Sequence, residues 1–372
     1  MSKKILRTSL ILIMAISVSV FAACKGNKEE EGKDKLDNQA PTLQPEDNLQ
    51  DKTDNNEQAK LSVKDYYPIQ ADVEYIYSGE GNEFAAYNRI IDYISEDGSR
   101  VQIRTNNSGT ETVRVIEVKD GKISVIKTVN ECYYRDNLLN SKADGQAEIL
   151  LMEPLTEGTQ WTLADGRKRH ISGTDVEINT PSGTYRAIEV TTEADDSIVK
   201  DYYAYGVGLV KTVFASGGSE VISELSKINK DAVYSKTIDI FYPGVDENIY
   251  VQPITITFKT GDISRLLIQE ALTKEAAIKD FIPLASTKTK INSLYLGEDG
   301  IAYIDFSAEL VTEMTVGSGY EELILQCITN TVGNYYGTDE VYLTVEGKPY
   351  KSGHIYLEKG ETLKVDMSRV KE

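Results

Sequence analysis

Apolar residues run almost unbroken from Leu10 to Phe21, then thin out, then alternate with polar ones, and towards the C-terminus switch between periods of two and 3.6. From about Tyr66 to Ile228 alternation is clearest in Val101-Gln102-Ile103-Arg104, Val113-Arg114-Val115-Ile116-Glu117-Val118 and Ala187-Ile188-Glu189-Val190-Thr191. Asp97-Gly98, Asp120-Gly121, Asp165-Gly166 and Ser182-Gly183 fall between strand candidates, the chemistry that antiparallel hairpins require. No helix is predicted there. The polar stretch Lys227 to Ala232 marks a boundary, after which Thr237 to Tyr242 and Ile254 to Phe258 read as strands. Asp262 then stands as an N-cap before Ile263, Leu266, Leu267 and Ala271 at helical spacing. Strands over Lys290 to Leu296 and Ile301 to Phe306 flank the turn Gly297-Glu298-Asp299-Gly300. Ser318-Gly319-Tyr320-Glu321 has the form of a capping box and opens a helix through Leu323, Ile324, Cys327, Ile328 and Val332, which Gly337 stops. Glu340 to Val345 supplies a further strand, with a turn at Glu346-Gly347.

The fold class read from this pattern is α+β: an antiparallel all-β domain over 65–230 and a compact α/β domain of two strand-helix-strand units over 231–372. Arg265 to Leu272 and Glu322 to Thr329 align as counterparts in the two units. Each helix carries one apolar stripe, so both are expected on one side of a small sheet.

The first apolar run has a different meaning. Lys3, Lys4 and Arg7 precede it and Val20-Phe21-Ala22-Ala23-Cys24 closes it, the order of a secretory signal peptide, with a run too short to span a bilayer. The stretch resembles a bacterial lipobox, which implies removal of 1–23 and diacylation of Cys24 by chains such as palmitate, a membrane anchor made of lipid. The alternative is an uncleaved or ordinary signal in which Cys24 is incidental. Residues 24–64 are rich in Lys, Glu, Asp, Asn and Gln and hold too little apolar surface to offset the entropy of ordering, so they are expected to be a disordered acidic tether. At about 5–6 Å times the square root of length, such a tether reaches roughly 35 Å. That places the folded part clear of the lipid and near any peptidoglycan layer.

The formal net charge is −19, and −22 once the signal with its three cations is removed. Such a field repels phosphate backbones, so nucleic acid is not expected as a partner and contact with the membrane should come from the lipid alone. Of three cysteines, Cys132 and Cys327 remain after Cys24, in different predicted domains, and read as two separate buried thiols rather than a disulfide. No metal site is expected: His170 and His354 are the only histidines, neither at ligand spacing from a cysteine, and no EF-hand loop occurs.

Catalytic residues are not expected either. A triad would have only His170 or His354 as its base, and no Gly-x-Ser-x-Gly elbow is present. Glu193 with Asp195 and Asp196 could act as paired carboxylates, but 59 acidic residues produce such pairs by chance and these sit in a predicted turn. No phosphate-binding glycine loop or other cofactor fingerprint appears. Trp161 and Tyr202-Tyr203-Ala204-Tyr205 are candidates for the core between sheets or for a face open to a lipid or glycan.

One resemblance adds to this. Asp305-Phe306-Ser307, Gly317-Ser318-Gly319 and the strand Val341 to Val345 ending in Gly347-Lys348 stand in the order found in the GerMN domain of sporulation and spore-germination lipoproteins, over about residues 238–351. The departure is at Lys274 to Lys279, which extend the first helix or begin another. The resemblance implies a compact module similar in shape to the ring-building motifs of secretion and sporulation assemblies, with no known catalytic residues. The function it suggests is a non-catalytic interaction or assembly module with a protein partner, on the extracytoplasmic face of the cell membrane. Glu321 and Glu322, on the expected exposed face of the second helix, are candidate contacts, while Glu309, Glu313 and His354 are the nearby acid or base groups expected to be dispensable. The alternative is a carrier whose concave β-sheet binds a lipid or glycan.

Overall fold

The computed structural model describes residues 61–274 and 281–371. The signal peptide, Cys24, most of the tether and the segment after Lys274 lie outside the described residues. The fold is mostly β, with one large antiparallel sheet and a C-terminal part of mixed sheet and helices.

The large sheet takes β1 (Val73–Glu80), β2 (Tyr87–Ile94), β3 (Arg100–Asn106), β4 (Glu111–Lys119), β5 (Lys122–Val129), β6 (Glu148–Met152), β7 (Gln160–Thr162), β8 (Lys168–Thr180), β9 (Gly183–Glu193), β10 (Ser197–Ala204), β11 (Gly208–Ser216) and β12 (Ser219–Lys230). Their order is β6-β5-β4-β3-β2-β1-β12-β11-β10-β9-β8-β7. The chain meanders outward from β1 to one edge, crosses to the other, and meanders back until β12 lies beside β1. Val101, Ile116 and Ile123 of one arm share a core with Ile171, Ile188 and Tyr203 of the other, so the sheet curls over on itself.

Side chains close the two edges. The indole of Trp161 donates to the Ile149 carbonyl at 3.0 Å, and Arg169 donates to the same carbonyl at 2.7 Å and to Glu148 at 3.0 Å. The lone tryptophan is therefore a core residue, and it also covers an edge that would otherwise offer free backbone groups. In β4 the successive apolar residues Val115 and Ile116 are both buried because alternation sends them to opposite faces that are both covered, Ile116 inside the curl and Val115 outside it with Tyr93 and Leu139. Val63, which the composition assigned to the tether, is 2% exposed in a short 3-10 turn and packs into this core. The buried valine beside Tyr66 and Tyr67, with its amide donating to Glu153 at 3.0 Å, holds the last residues of an otherwise polar segment.

The C-terminal part takes β13 (Tyr234–Pro243), β14 (Ile249–Phe258), α1 (Ser264–Thr273), β15 (Ile291–Leu296), β16 (Ala302–Phe306), α2 (Glu309–Thr312), α3 (Ser318–Tyr336), β17 (Glu340–Val345), β18 (Lys348–Pro349), β19 (Leu363–Lys364) and β20 (Val370–Lys371). β13, β14 and β20 form one sheet, and β15 to β18 with β19 form another. β16 and β17 are parallel across α3, a strand-helix-strand unit, whereas β14 and β15 lie in different sheets, so the two units are not built alike.

Nor is α3 a one-stripe helix. Leu323, Ile324 and Ile328 are buried, and so are the polar Thr329, Asn330 and Thr331. The polar group each carries is satisfied locally: Thr331 accepts from the Phe241 amide of β13, Thr329 donates to Leu325, and Asn330 pairs twice with the backbone of Asp366. The helix is enclosed by β13, by the β16–β17 sheet and by the C-terminal segment, which explains why its apolar periodicity alone understates its burial. It ends at Gly337, whose φ of 69° is the left-handed conformation that favours glycine. Neither expected cap forms as read: α1 begins after Ile263, with Asp262 accepting instead from the Lys259 amide, and α3 begins after Gly317 with no side-chain cap.

Candidate functional sites

Three features outside the regular core bear on function, and each follows from where strand register places polar side chains.

The first lies where the two parts of the chain meet. Asp92 of β2, 1% exposed, faces outward from the curl together with Arg104 of β3 and receives Arg135 from the loop after β5. Arg104 pairs with Asp92 at 3.0 Å and with Glu111 at 2.7 Å. Arg135 donates to both the side chain (3.2 Å) and the carbonyl (2.7 Å) of Asp92, and to the Lys259 carbonyl of the C-terminal part at 3.0 Å. Its guanidinium also sits 4.2 Å from the centre of the Tyr93 ring and 4.9 Å from that of Phe258. Beside it, Asp136 accepts from the Tyr336 hydroxyl of α3 (2.9 Å) and the Leu296 amide of β15 (3.1 Å). Burial pushes the Asp136 carboxyl up to about 6, those two hydrogen bonds only partly opposing it. Every one of these charges is held by protein partners, so the cluster joins the two parts and has no free group for chemistry.

The second is on the C-terminal mixed sheet. Ala302, Ile304 and Phe306 of β16 and Val341 and Leu343 of β17 point into the core, so the alternate residues face away from the helices. Register places Tyr295, Tyr303 and Tyr342 in one row across β15, β16 and β17. Tyr295 and Tyr303 stack with ring centres 5.1 Å apart, and Tyr342 meets Tyr303 edge-on at 5.6 Å. Tyr295 is 45% exposed. Next to the row, Asp305 accepts from Thr344 (2.6 Å), the Gly347 amide (2.7 Å) and Asn292 (2.9 Å). The motif residue Asp305 thus pins the tight turn at Glu346-Gly347, a structural duty.

The third is the mouth of the curled sheet, a cavity of about 440 Å³ with Arg89, Arg114, Arg167 and Arg169 on its walls against Glu148 and Asp201. Arg169 and Glu148 pair with each other where the two sheet edges close, and Arg167 pairs with Asp165. Asp201 accepts from Thr212 at 2.7 Å, and burial raises its carboxyl.

The residues singled out from sequence do not converge. Cys24 lies outside the described residues. Glu193 ends β9 and Asp195 and Asp196 are in the exposed turn that follows it, and His170 and His354 are far apart in sequence and element, on β8 and in a C-terminal loop. Glu309 and Glu313 are half-buried, Glu313 paired with Lys288 at 2.7 Å. Glu322 is exposed, but Glu321 is 3% exposed and accepts from the Tyr350 hydroxyl at 2.8 Å; it therefore cannot be a surface contact. Cys132 and Cys327 are free and buried. Tyr202 and Tyr203 are core residues, while Tyr205 is exposed. Among the described residues no group of His, Cys, Asp and Glu could hold a metal ion, and no helix is long and apolar enough to cross a membrane.

Comparison with known proteins agrees with the geometry of the C-terminal part. Residues 239–351 match the Germane family, described as sporulation and spore germination. This part of the chain is a GerMN-like domain. The tandem GerMN domains of the sporulation protein GerM from Bacillus subtilis are similar at 16% identity, over 35% of this chain and 46% of that one, with a TM-score of 0.29. The chain thus spans about half the length of that tandem structure. The first GerMN domain of the same protein matches at 18% identity over 33% of this chain and 94% of its own, with a TM-score of 0.27. A Clostridium perfringens chain described as a lipoprotein matches at 18% identity over 36% of this chain and 87% of its own, with a TM-score of 0.24. No curated protein matches the sequence. The Germane family is not a known enzyme family.

Proposed function

We propose that this chain is a lipid-anchored, extracytoplasmic assembly module of sporulation, spore germination or envelope remodelling, which docks a protein partner and catalyses no reaction. The observation that carries the reading is the tyrosine row. Tyr295, Tyr303 and Tyr342 form a stacked aromatic surface on the sheet face that the helices leave uncovered, in a domain whose relatives belong to sporulation proteins. Tyrosine suits such a surface because it offers a large apolar ring and a hydroxyl at little entropic cost, and it is enriched at protein interfaces. The buried Asp92–Arg104–Arg135 cluster supports the reading further, because it fixes the docking domain on the curled sheet. Cys24 supplies the anchor and residues 25–60 the reach.

The test is site-specific photocrosslinking in sporulating cells. A crosslinking residue in place of Tyr295 is expected to give one discrete adduct, and one in place of Phe214, which is exposed on β11, none. Cys24→Ala should release the protein from the membrane fraction and abolish the adduct. No adduct from Tyr295, or the same adduct from both positions, would refute the docking surface.

A further inference from the structure

We infer that the mouth of the curled sheet is a binding site for an acidic saccharide, one carrying a carboxylate or a phosphate on a sugar or polyol. The argument begins with two cations. Arg89 of β2 and Arg114 of β4 face into the cavity, and among the described residues no carboxylate lies within ion-pair distance of either. Arg167 and Arg169 on the same walls show the contrast, since each is tied to an acid. A half-buried guanidinium left without an anion is costly, and a chain of net charge −19 has carboxylates in abundance with which to pair it. The pairing has been withheld at this position.

A buried hydroxyl points the same way. Tyr67 is 8% exposed, its Oη has no hydrogen-bond partner of good geometry and only the Arg89 guanidinium acting on it as a donor, and the ring lines the cavity beside Arg89. Burial raises the Tyr67 phenol, and the charges of Arg89 and Arg114 both reach it and pull the other way. A buried polar atom without a well-placed partner is rare and calls for a ligand or water to satisfy it.

Register then fixes the shape. Arg89, Thr105 and Thr112 lie in one cross-strand row over β2, β3 and β4, and Arg114 follows Thr112 by two residues on the same face. The site therefore presents hydroxyls between two guanidinium groups. Tyr87 and Tyr203 add aromatic rings to the walls. Guanidinium groups match the oxygens of carboxylate and phosphate, and the hydroxyls and rings match a polyol or sugar. A volume of about 440 Å³ is within the range of small-ligand sites. This site is in the other half of the chain from the tyrosine row and does not depend on the docking reading.

Isothermal titration of the full-length chain decides it, with N-acetylmuramic acid, glycerol 3-phosphate and neutral N-acetylglucosamine as probes. At least one of the two acids is expected to bind with a Kd below about 1 mM, and the neutral sugar more weakly by about tenfold or more. Binding of the first acid alone identifies a sugar carboxylate as the ligand chemistry, and of the second alone a polyol phosphate. Arg114→Ala should weaken the acid by about tenfold. Because Arg114 is exposed, that variant tests the site without disturbing the fold; Arg89→Met should weaken it at least as much, with its melting temperature as the check on folding. No binding of either acid, equal binding of the neutral sugar, or full affinity in Arg114→Ala overturns the inference.

Discussion

Arg135 reaches from the loop after β5 to Asp92, and its Nε donates to the carboxylate at 3.2 Å with both residues 1% exposed. The same guanidinium donates to Lys259 across the junction, so one side chain links the curled sheet to the GerMN-like domain. Removing Arg135 takes one of two cations from Asp92, which keeps Arg104, but leaves the carbonyls of Asp92 and Lys259 without their donor, and an unsatisfied buried group typically costs about 1–3 kcal/mol. Arg135→Met is therefore expected to destabilise the protein by about that amount. Chemical denaturation followed by Trp161 fluorescence and by far-ultraviolet circular dichroism checks it. A loss below about 1 kcal/mol would show that the cluster does not hold the two parts together.

Asp136, a neighbour of Arg135, makes stability depend on pH. Its carboxyl is raised from the ordinary value to about 6 by burial, so the folded state holds the proton more tightly than the unfolded one. The stabilisation from that proton is fully present below about pH 4 and is lost as pH rises through about 6, an effect on the order of 3 kcal/mol at most. Asp136→Asn should flatten this part of the profile. Parallel urea midpoints for the two proteins between pH 4 and pH 7 would contradict the assignment.

The two buried thiols should be inert. Burial pushes Cys132 up to about 11 and raises Cys327 as well, and the thiolate is the reactive form. In a Cys24→Ala background, a thiol reagent at pH 8 should label neither cysteine rapidly in the native state and both in denaturant. Rapid labelling of one thiol in the native protein would show that its surroundings open.

Alternation and turn chemistry made the strands legible, because hairpins joined by Asp-Gly and Ser-Gly need only local information, and the domain motif around Asp305-Phe306-Ser307 was legible as a resemblance. The candidate sites were not. Arg89, Thr105 and Thr112 fall in one row only once the register of three strands is fixed, and the same holds for Tyr295, Tyr303 and Tyr342, a register that alternation alone does not give. Arg104 shows the limit of pattern reading. As a polar residue at an alternate strand position it signals a solvated face, yet a loop and a second domain cover that face and leave the side chain 1% exposed. Helix starts failed for a related reason: Ser318 and Glu321 have the spacing of a capping box, but tertiary contact with Tyr350 takes the glutamate away from the backbone.

That glutamate gives the last prediction. Glu321 sits in the first turn of α3, where the helix dipole favours a negative charge, and the hydroxyl of Tyr350, itself fully buried, donates to it at 2.8 Å. Glu321→Lys would place a cation at the positive end of the helix dipole and leave it buried without an acid, so a loss of about 3–5 kcal/mol is expected. Tyr350→Phe removes only the hydrogen bond and should cost about 1–3 kcal/mol, the penalty of leaving a buried acceptor unsatisfied. Glu322→Lys, one residue along on the exposed side, should change stability by less than about 0.5 kcal/mol. Thermal unfolding of the three variants separates the cases. If Glu321→Lys and Glu322→Lys proved equally mild, the glutamate would have to be solvated, and the packing of the C-terminal segment around α3 would be wrong at that point.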